Sequence, residues 1–488
     1  MARRTAVIDI GSNSVRLVIY EKTSRYAFHL LHEEKSRVRI SENAYENDSN
    51  LQEAAMTRAI AALREFLSIT TSYKVRKTLC VATSAVRDAK NKKEFLHRVK
   101  HELGLNIKVI DGSREAYYGG IACANLLPKT SGVVIDIGGG STECACILNG
   151  KVVDSYSLNL GTVRLKELFF DKGDIKGAKK FIDEALLKLP TKQAKRIIGI
   201  GGTFRALSKA VMQKNSYPLE KIHAYAFSAD ELKNHGKKVL KVKDNTQLKE
   251  LYIKPERFDV IRPGTLILLR LMKYLKSETM ITSGAGVREG VYLCDILRSN
   301  RNYFPENYNP SLSYLQDTYA VDKRLSSLMV KVVSSLFDTL NPILNINPSY
   351  KPALLKATKL AIIGSSIHFY SYHKHSYLLI QSALEYGFSH EETILIATLT
   401  RYQNRKVPSI AHIEKYRSLL PDTQTLNNLT FLLSLCNVLV VHRPKTMDFT
   451  LELNENVLHV KSTNAPLHIA AERVASIATP ENISIQFH

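Results

Sequence analysis

Residues 133–137 form an apolar run interrupted only by Asp136, and the chain then passes through three glycines, two hydroxyls and a second acid, Asp136-Ile-Gly-Gly-Gly-Ser-Thr-Glu143. The run predicts a buried strand and the glycines a tight turn. Cys144-Ala-Cys-Ile-Leu148 predicts a returning strand, closed by Asn149-Gly150 onto Lys151-Val-Val-Asp-Ser-Tyr156. The same pattern opens the chain as Asp9-Ile-Gly-Ser-Asn-Ser14, where Asp9, Gly11 and Ser14 each precede Asp136, Gly138 and Ser141 by 127 residues. A repeat at domain length implies two duplicated lobes and argues against a solenoid.

Between and after these hairpins, helical spacing over 50–67 and 92–103 alternates with strand runs at 78–82 and 107–111, which is α/β alternation. Asp111-Gly-Ser-Arg-Glu-Ala116 predicts a strand-to-helix turn with Ser113 as N-cap and Glu115 in the first turn. Ile197-Ile-Gly-Ile-Gly-Gly-Thr203 leads into a helix in the second lobe, as Thr78-Leu-Cys-Val-Ala-Thr-Ser84 does in the first. Leu126-Leu-Pro-Lys-Thr-Ser-Gly132 reads as the linker between the lobes, and the turn-rich 302–310 as a second linker. Beyond it, Leu325, Leu328, Met329, Val332, Val333, Leu336 and Leu340 keep helical spacing up to Asn341-Pro342. Further helices, a hairpin at 448–460, a helix and a short strand complete the chain. The expected domains are 1–125, 126–300 and 301–488.

A glycine turn between two strands is neither a dinucleotide fold nor a P-loop, because both need a helix directly after the glycines, and the chain has no Gly-Lys-Ser/Thr. Such a turn brings bare backbone N–H groups to phosphate oxygens. Ser141 and Thr142 add hydroxyl donors, and Asp136 and Glu143 can hold a hard cation. Two lobes, each with a hairpin turn and a strand-to-helix turn, make a cleft that grips a phosphate chain from both sides.

Charge adds to this picture. The 68 Lys and Arg against 46 Asp and Glu give +22, which attracts polyanions, while no aromatic-rich nucleic-acid signature accompanies it. No specific nucleic-acid partner is expected. The six cysteines lie in apolar contexts without metal spacing. The longest apolar stretch, 430–441, is too short to span a bilayer, so a cytoplasmic protein is expected.

The chain resembles the exopolyphosphatase/guanosine pentaphosphate phosphohydrolase family of the actin, sugar-kinase and Hsp70 superfamily. The resemblance is carried in order by Asp9-Ile-Gly-Ser-Asn-Ser14, Ala82-Thr-Ser-Ala-Val-Arg87, Ser113-Arg-Glu-Ala116, Asp136-Ile-Gly-Gly-Gly-Ser-Thr-Glu143, Gly201-Gly-Thr203 and Ser283-Gly-Ala-Gly-Val-Arg-Glu-Gly290. It implies two actin-like (ribonuclease H-like) α/β lobes and a mainly helical C-terminal domain with a small β element. That domain resembles an HD phosphohydrolase domain, but Ala361 and Ile362 stand where the metal-binding His-Asp pair would be.

The resemblance further implies release of the terminal phosphate from inorganic polyphosphate or guanosine pentaphosphate, with Glu115 as general base and Mg²⁺ held by Asp136 and Glu143. Phosphate would be bound by Gly11, Ser12, Asn13, Ser14, Thr83, Ser84, Arg87, Gly138, Gly139, Gly140, Ser141, Gly202 and Thr203. Arg288 and Glu289 read as a surface pair without a catalytic role. A homodimer is expected, with a basic helical domain that lengthens a polyphosphate channel. Two rival readings are an ATP-dependent kinase of the same superfamily and a non-catalytic sensor of polyphosphate or guanosine tetraphosphate.

Overall fold

The computed structural model describes residues 3–44, 48–129, 131–404 and 407–488; Thr130, in the expected linker, lies outside them. The chain forms two compact units, Met1–Tyr308 and Asn309–His488.

The first unit contains two sheets with one plan. Strands β1 (Arg3–Ile10), β2 (Val15–Lys22), β3 (Phe28–Ser36), β4 (Lys77–Ala82) and β5 (Lys108–Val109) lie in the order β3-β2-β1-β4-β5. Strands β6 (Gly132–Ile137), β7 (Thr142–Leu148), β8 (Lys151–Leu158), β9 (Arg196–Ile200), β10 (Ala226–Ser228) and β11 (Thr279–Thr282) lie in the order β10-β11-β9-β6-β7-β8. In each, an antiparallel meander is followed by a strand parallel to its first member: β4 beside β1, β9 beside β6. The duplicated turns close alike. Gly11 donates its N–H to the Ser14 carbonyl at 3.2 Å, and Gly138 donates to the Ser141 carbonyl at 2.9 Å.

Apolar periodicity accounts for the layers on these sheets. The helix Glu53–Ser72 buries Ala59, Ile60, Leu63 and Phe66 with the first sheet's core, and Ile261–Leu275 buries Ile267, Leu268, Leu271 and Leu275 with the second's. Asn149 and Gly150 both take positive φ, as a two-residue hairpin turn between β7 and β8 requires.

The helix Gly112–Leu126 joins the two halves. It lies against β7 and β8 and against the helix Val287–Ile296. Its N-cap is Asp111, not Ser113: the Asp111 carboxylate accepts the Arg114 N–H at 2.8 Å, while Ser113 only donates its hydroxyl to Asp111. Small residues permit this close packing. A Cβ on Gly290 would overlap the Tyr118 carbonyl, so the final glycine of the Arg-Glu-Gly signature is a packing requirement.

Two other expectations change. The start of the expected linker is held to the first unit: Asn125 donates to the Asn302 carbonyl at 2.9 Å, and the Tyr303 hydroxyl accepts the Val152 N–H at 2.9 Å. The long helix of the second unit runs Lys323–Leu344, past Pro342. Proline is tolerated there because it sits in the last turn, and Asn345 closes the end in left-handed conformation with its N–H on the Asn341 carbonyl. All seven apolar residues expected on its face are buried in the helical core.

The second unit ends in β12 (Phe449–Asn454), β13 (Val457–Ser462) and β14 (Ser484–Phe487), a three-stranded sheet. It is not the basic module the sequence reading anticipated. Residues 309–488 carry sixteen Lys and Arg against thirteen Asp and Glu, a net +3, and residues 1–308 carry 52 against 33, a net +19. The polyanion-attracting charge therefore belongs to the unit with the two sheets.

Gly290→Ala should destabilise the first unit by roughly 1–3 kcal/mol, because the Gly112–Leu126 backbone cannot retreat without leaving β7 and β8. Urea unfolding of the variant checks this, and an unchanged midpoint would show that the two helices have room to separate.

Candidate active site

Between the two sheets of the first unit lies a polar cleft of about 170 Å³, lined from both of them. The two glycine hairpins supply Gly11, Ser12, Asn13 and Ser14 on one side and Gly138, Gly139 and Ser141 on the other. The strand-to-helix turns add Thr83 and Ser84 after β4, and Gly202 and Thr203 at the start of the helix Gly201–Lys214. Gly201 has φ +75°, and a Cβ there would overlap the Asp136 carboxylate. The turn is thus built around that acid.

Arg87 and Gly140 do not line the cleft. The Gly140 carbonyl accepts from Arg164 Nε at 3.0 Å, bracing the turn from behind. Arg87 is turned to the acid expected as base: its Nη1 donates to Glu115 Oε2 at 2.9 Å and to the Ile110 carbonyl at 3.3 Å, and its Nη2 reaches Ser141 Oγ at 3.5 Å. It orients Glu115 and the edge of one turn.

Glu115 sits in the first turn of its helix, only 8% exposed. Burial first, then the Glu143 carboxylate, push its carboxyl well above the usual carboxylate range, and Arg87 pulls it back. Raised proton affinity suits this carboxylate to take a proton from water. Glu143 is buried and accepts from Ser157 Oγ at 2.9 Å; burial raises it to about 7 against that hydrogen bond. Asp136 keeps access to the cleft but is enclosed by protein, and burial pushes it up to about 6, with Arg205 opposing.

Strand register explains why one lobe is suited to a cation. Asp136 lies opposite Glu143 across β6 and β7, so both carboxylates share one face. The equivalent pair across β1 and β2 is Asp9 and Arg16, an acid facing a cation in place of a second acid. No group of three metal-ligating side chains gathers among the described residues. Two desolvated acids facing a phosphate-sized cleft nevertheless fit Mg²⁺, which completes its shell with water and phosphate oxygens. Asp9 adds a buried Oδ1 that has no hydrogen-bond partner among the described residues.

The sequence reading missed the cationic wall. Arg16, Lys35, Arg205, Arg257 and Arg288 line the cleft as well. Arg16 is lowered to about 10, by burial first and then by Arg288 and Arg205; Arg205 is lowered by burial and by Arg288. Burial and mutual repulsion thus act together on Arg16 and Arg205, and a multiply charged anion between them would relieve the repulsion. Arg16 had a signal in the sequence, since it stands 127 residues before Glu143 in the repeat. Arg257 had none, because it arrives from a separate segment to lie over Gly202.

Arg288 and Glu289 are not the surface pair expected. Both are buried: Arg288 pairs with Glu33 at 2.6 Å on the cleft wall, and Glu289 accepts the Gly286 N–H at 2.7 Å and the Tyr20 hydroxyl. Helix capping and long-range pairing together draw them inward.

Known proteins agree with this architecture. The chain is 32% identical over 298 residues to a bifunctional 3-dehydroquinate synthase/phosphatase of Fusobacterium nucleatum, covering 57% of this chain and only 44% of that longer one. It is 28% identical over 418 residues to a guanosine-5'-triphosphate,3'-diphosphate pyrophosphatase of Pseudoalteromonas translucida, covering 81% of this chain and 80% of the relative. Among solved structures, the Aquifex aeolicus Ppx/GppA family member superimposes with TM-score 0.53 at 32% identity, over 62% of this chain and 99% of that one. An exopolyphosphatase from Cytophaga hutchinsonii superimposes with TM-score 0.56 at 26% identity, over 60% and 98%. The model of the Ppx/GppA phosphatase family matches residues 18–299, and that of Ppx/GppA phosphatase domain III matches residues 309–473. With its paired lobes of actin-like fold and its helical C-terminal unit, the chain belongs to the Ppx/GppA phosphatase family.

Proposed function

We propose that the protein removes the terminal phosphate of inorganic polyphosphate or of guanosine pentaphosphate by attack of water. The observation that carries this reading is Glu115, a buried carboxylate of raised proton affinity held by Arg87 at a cleft with two phosphate-binding turns and a cationic wall. The names of the relatives, a guanosine pentaphosphate pyrophosphatase and an exopolyphosphatase, support the two substrates.

Backbone N–H groups and hydroxyls of the paired turns hold the terminal phosphoryl group, and Arg16, Arg205, Arg257 and Arg288 balance the charge of the phosphates behind it. Glu115 takes a proton from water. The water oxygen bonds to the terminal phosphorus, the bridging P–O bond breaks, and orthophosphate leaves the shortened anion. Mg²⁺ held by Asp136 and Glu143 would supply charge neutralisation on the phosphate oxygens. Phosphate release measured side by side from long-chain polyphosphate, guanosine pentaphosphate and ATP tests the reading, which fails if all three give only background.

Glu115→Gln should leave folding and substrate binding intact and lower turnover by about 10²- to 10⁴-fold. Near-normal turnover would transfer the base role to Glu143.

Arg87→Gln removes the cation that lowers the Glu115 pKa, so this carboxyl should hold its proton to higher pH. A base works only when deprotonated. The acidic limb of the pH–rate profile should therefore move to higher pH in the variant; a limb that stays in place would separate Arg87 from the base.

Asp136 has a folded-state pKa raised from 3.8 to about 6, so its contribution to stability is complete below 3.8 and is lost as pH rises through 6. A cation on this carboxylate should offset the loss. Mg²⁺ is expected to raise the melting temperature at pH 8 by at least about 2 °C, the shift that roughly 1 kcal/mol gives a domain of this size, and by much less at pH 5. Asp136→Asn should melt higher than the parent at pH 8 without Mg²⁺ and respond little to it; an equal Mg²⁺ response in parent and variant would remove Asp136 from the cation site.

A further inference from the structure

The helical unit holds a cavity of its own, about 490 Å³, between the helix Thr423–Leu439, the segment around Phe369 and Tyr372, and the helix His468–Val474. It is lined by Ile362, next to Ala361, two positions without an ionisable side chain. The Ala361 carbonyl accepts from Gln403 Nε2 at 2.8 Å and Ser376 Oγ at 2.9 Å. Gln403 Oε1 in turn accepts from Asn437 at 3.0 Å. A fixed amide network therefore occupies the floor, and the space above it remains open.

The lining has three chemistries. One wall is aliphatic. Phe369, 69% exposed, offers an uncovered ring at the mouth. No carboxylate lines the cavity, yet Arg443 and Arg473 do, and neither guanidinium has an ion-pair partner among the described residues. The two reach the cavity from different segments, and Tyr372, whose hydroxyl donates to Asn404 at 3.2 Å, lines it as well. Two unpaired guanidiniums favour an anion with several oxygens. An apolar wall and an exposed ring do nothing for a bare inorganic anion, but they suit a planar base, whose edge Asn404 and Asn437 can read. The volume matches a small-molecule site.

We propose that this cavity binds a free nucleoside phosphate, with the base against Phe369 and the phosphates on Arg443 and Arg473. Its lining residues all belong to the second unit, and the proposal does not rest on the reaction assigned to the cleft.

Photo-crosslinking the full-length protein with 8-azido-ATP and 8-azido-GTP, followed by peptide mapping, locates any bound nucleotide. Label from either nucleotide is expected on peptides containing residues 362–372 or 434–443. It should fall at least about tenfold in the Arg443→Ala/Arg473→Ala double variant, the effect of losing about 1.4 kcal/mol of binding. Both side chains are exposed, so folding should persist, and an unchanged circular-dichroism spectrum and melting temperature in the double variant serve as the control. Phe369→Ala should weaken labelling several-fold. Label confined to peptides of the cleft, or label in the helical unit undiminished by the double variant, would overturn the proposal.

Discussion

Four carboxylates, Asp9, Glu115, Asp136 and Glu143, line one cleft from positions largely enclosed by protein, and the first unit is arranged to tolerate them. Burial raises the proton affinity of every one. Left alone they would repel one another and take up protons. Arg87 on Glu115, Ser157 on Glu143 and the cationic wall behind Asp9 and Asp136 hold the charge in place. An acid kept reluctantly ionised beside groups that attract phosphate is suited to moving a proton in the substrate's presence. The same desolvation costs stability in the empty protein.

Duplication supplies the frame, and the departures from it supply the chemistry. Both lobes close the same Gly-to-Ser turn and carry an acid at the same strand position. Their cross-strand partners differ: an arginine in the first lobe, a glutamate in the second. One lobe thereby presents cations to the phosphates, and the other presents two acids suited to Mg²⁺. The Gly112–Leu126 helix spans the halves and carries Glu115 in its first turn. Its fit against Gly290 ties the position of the proposed base to the packing of the Arg-Glu-Gly helix.

The second unit contributes little net charge and has no His-Asp pair at Ala361 and Ile362. Its amide network and two arginines without an ion-pair partner among the described residues line the cavity proposed for a nucleoside phosphate. The electrostatic attraction for polyanions rests on residues 1–308, in the same unit as the cleft.

The order of residues along the chain specifies the repeated hairpins, the α/β alternation and which polar side chains stand at the turns. These depend on short stretches in which glycine and hydroxyl positions fix the backbone locally. It singles out Asp136, Glu143 and Glu115, each within a few residues of such a turn, and all three line the one cleft. Tertiary structure alone decided that Arg87 serves Glu115, that Asp111 caps the helix, that Arg288 and Glu289 turn inward, and that Arg205 and Arg257 join Arg16 and Arg288 at the cleft. Each of these depends on where distant segments return. An arginine's partner is set by long-range packing and by the cost of burying charge, and neither leaves a periodic mark along the chain.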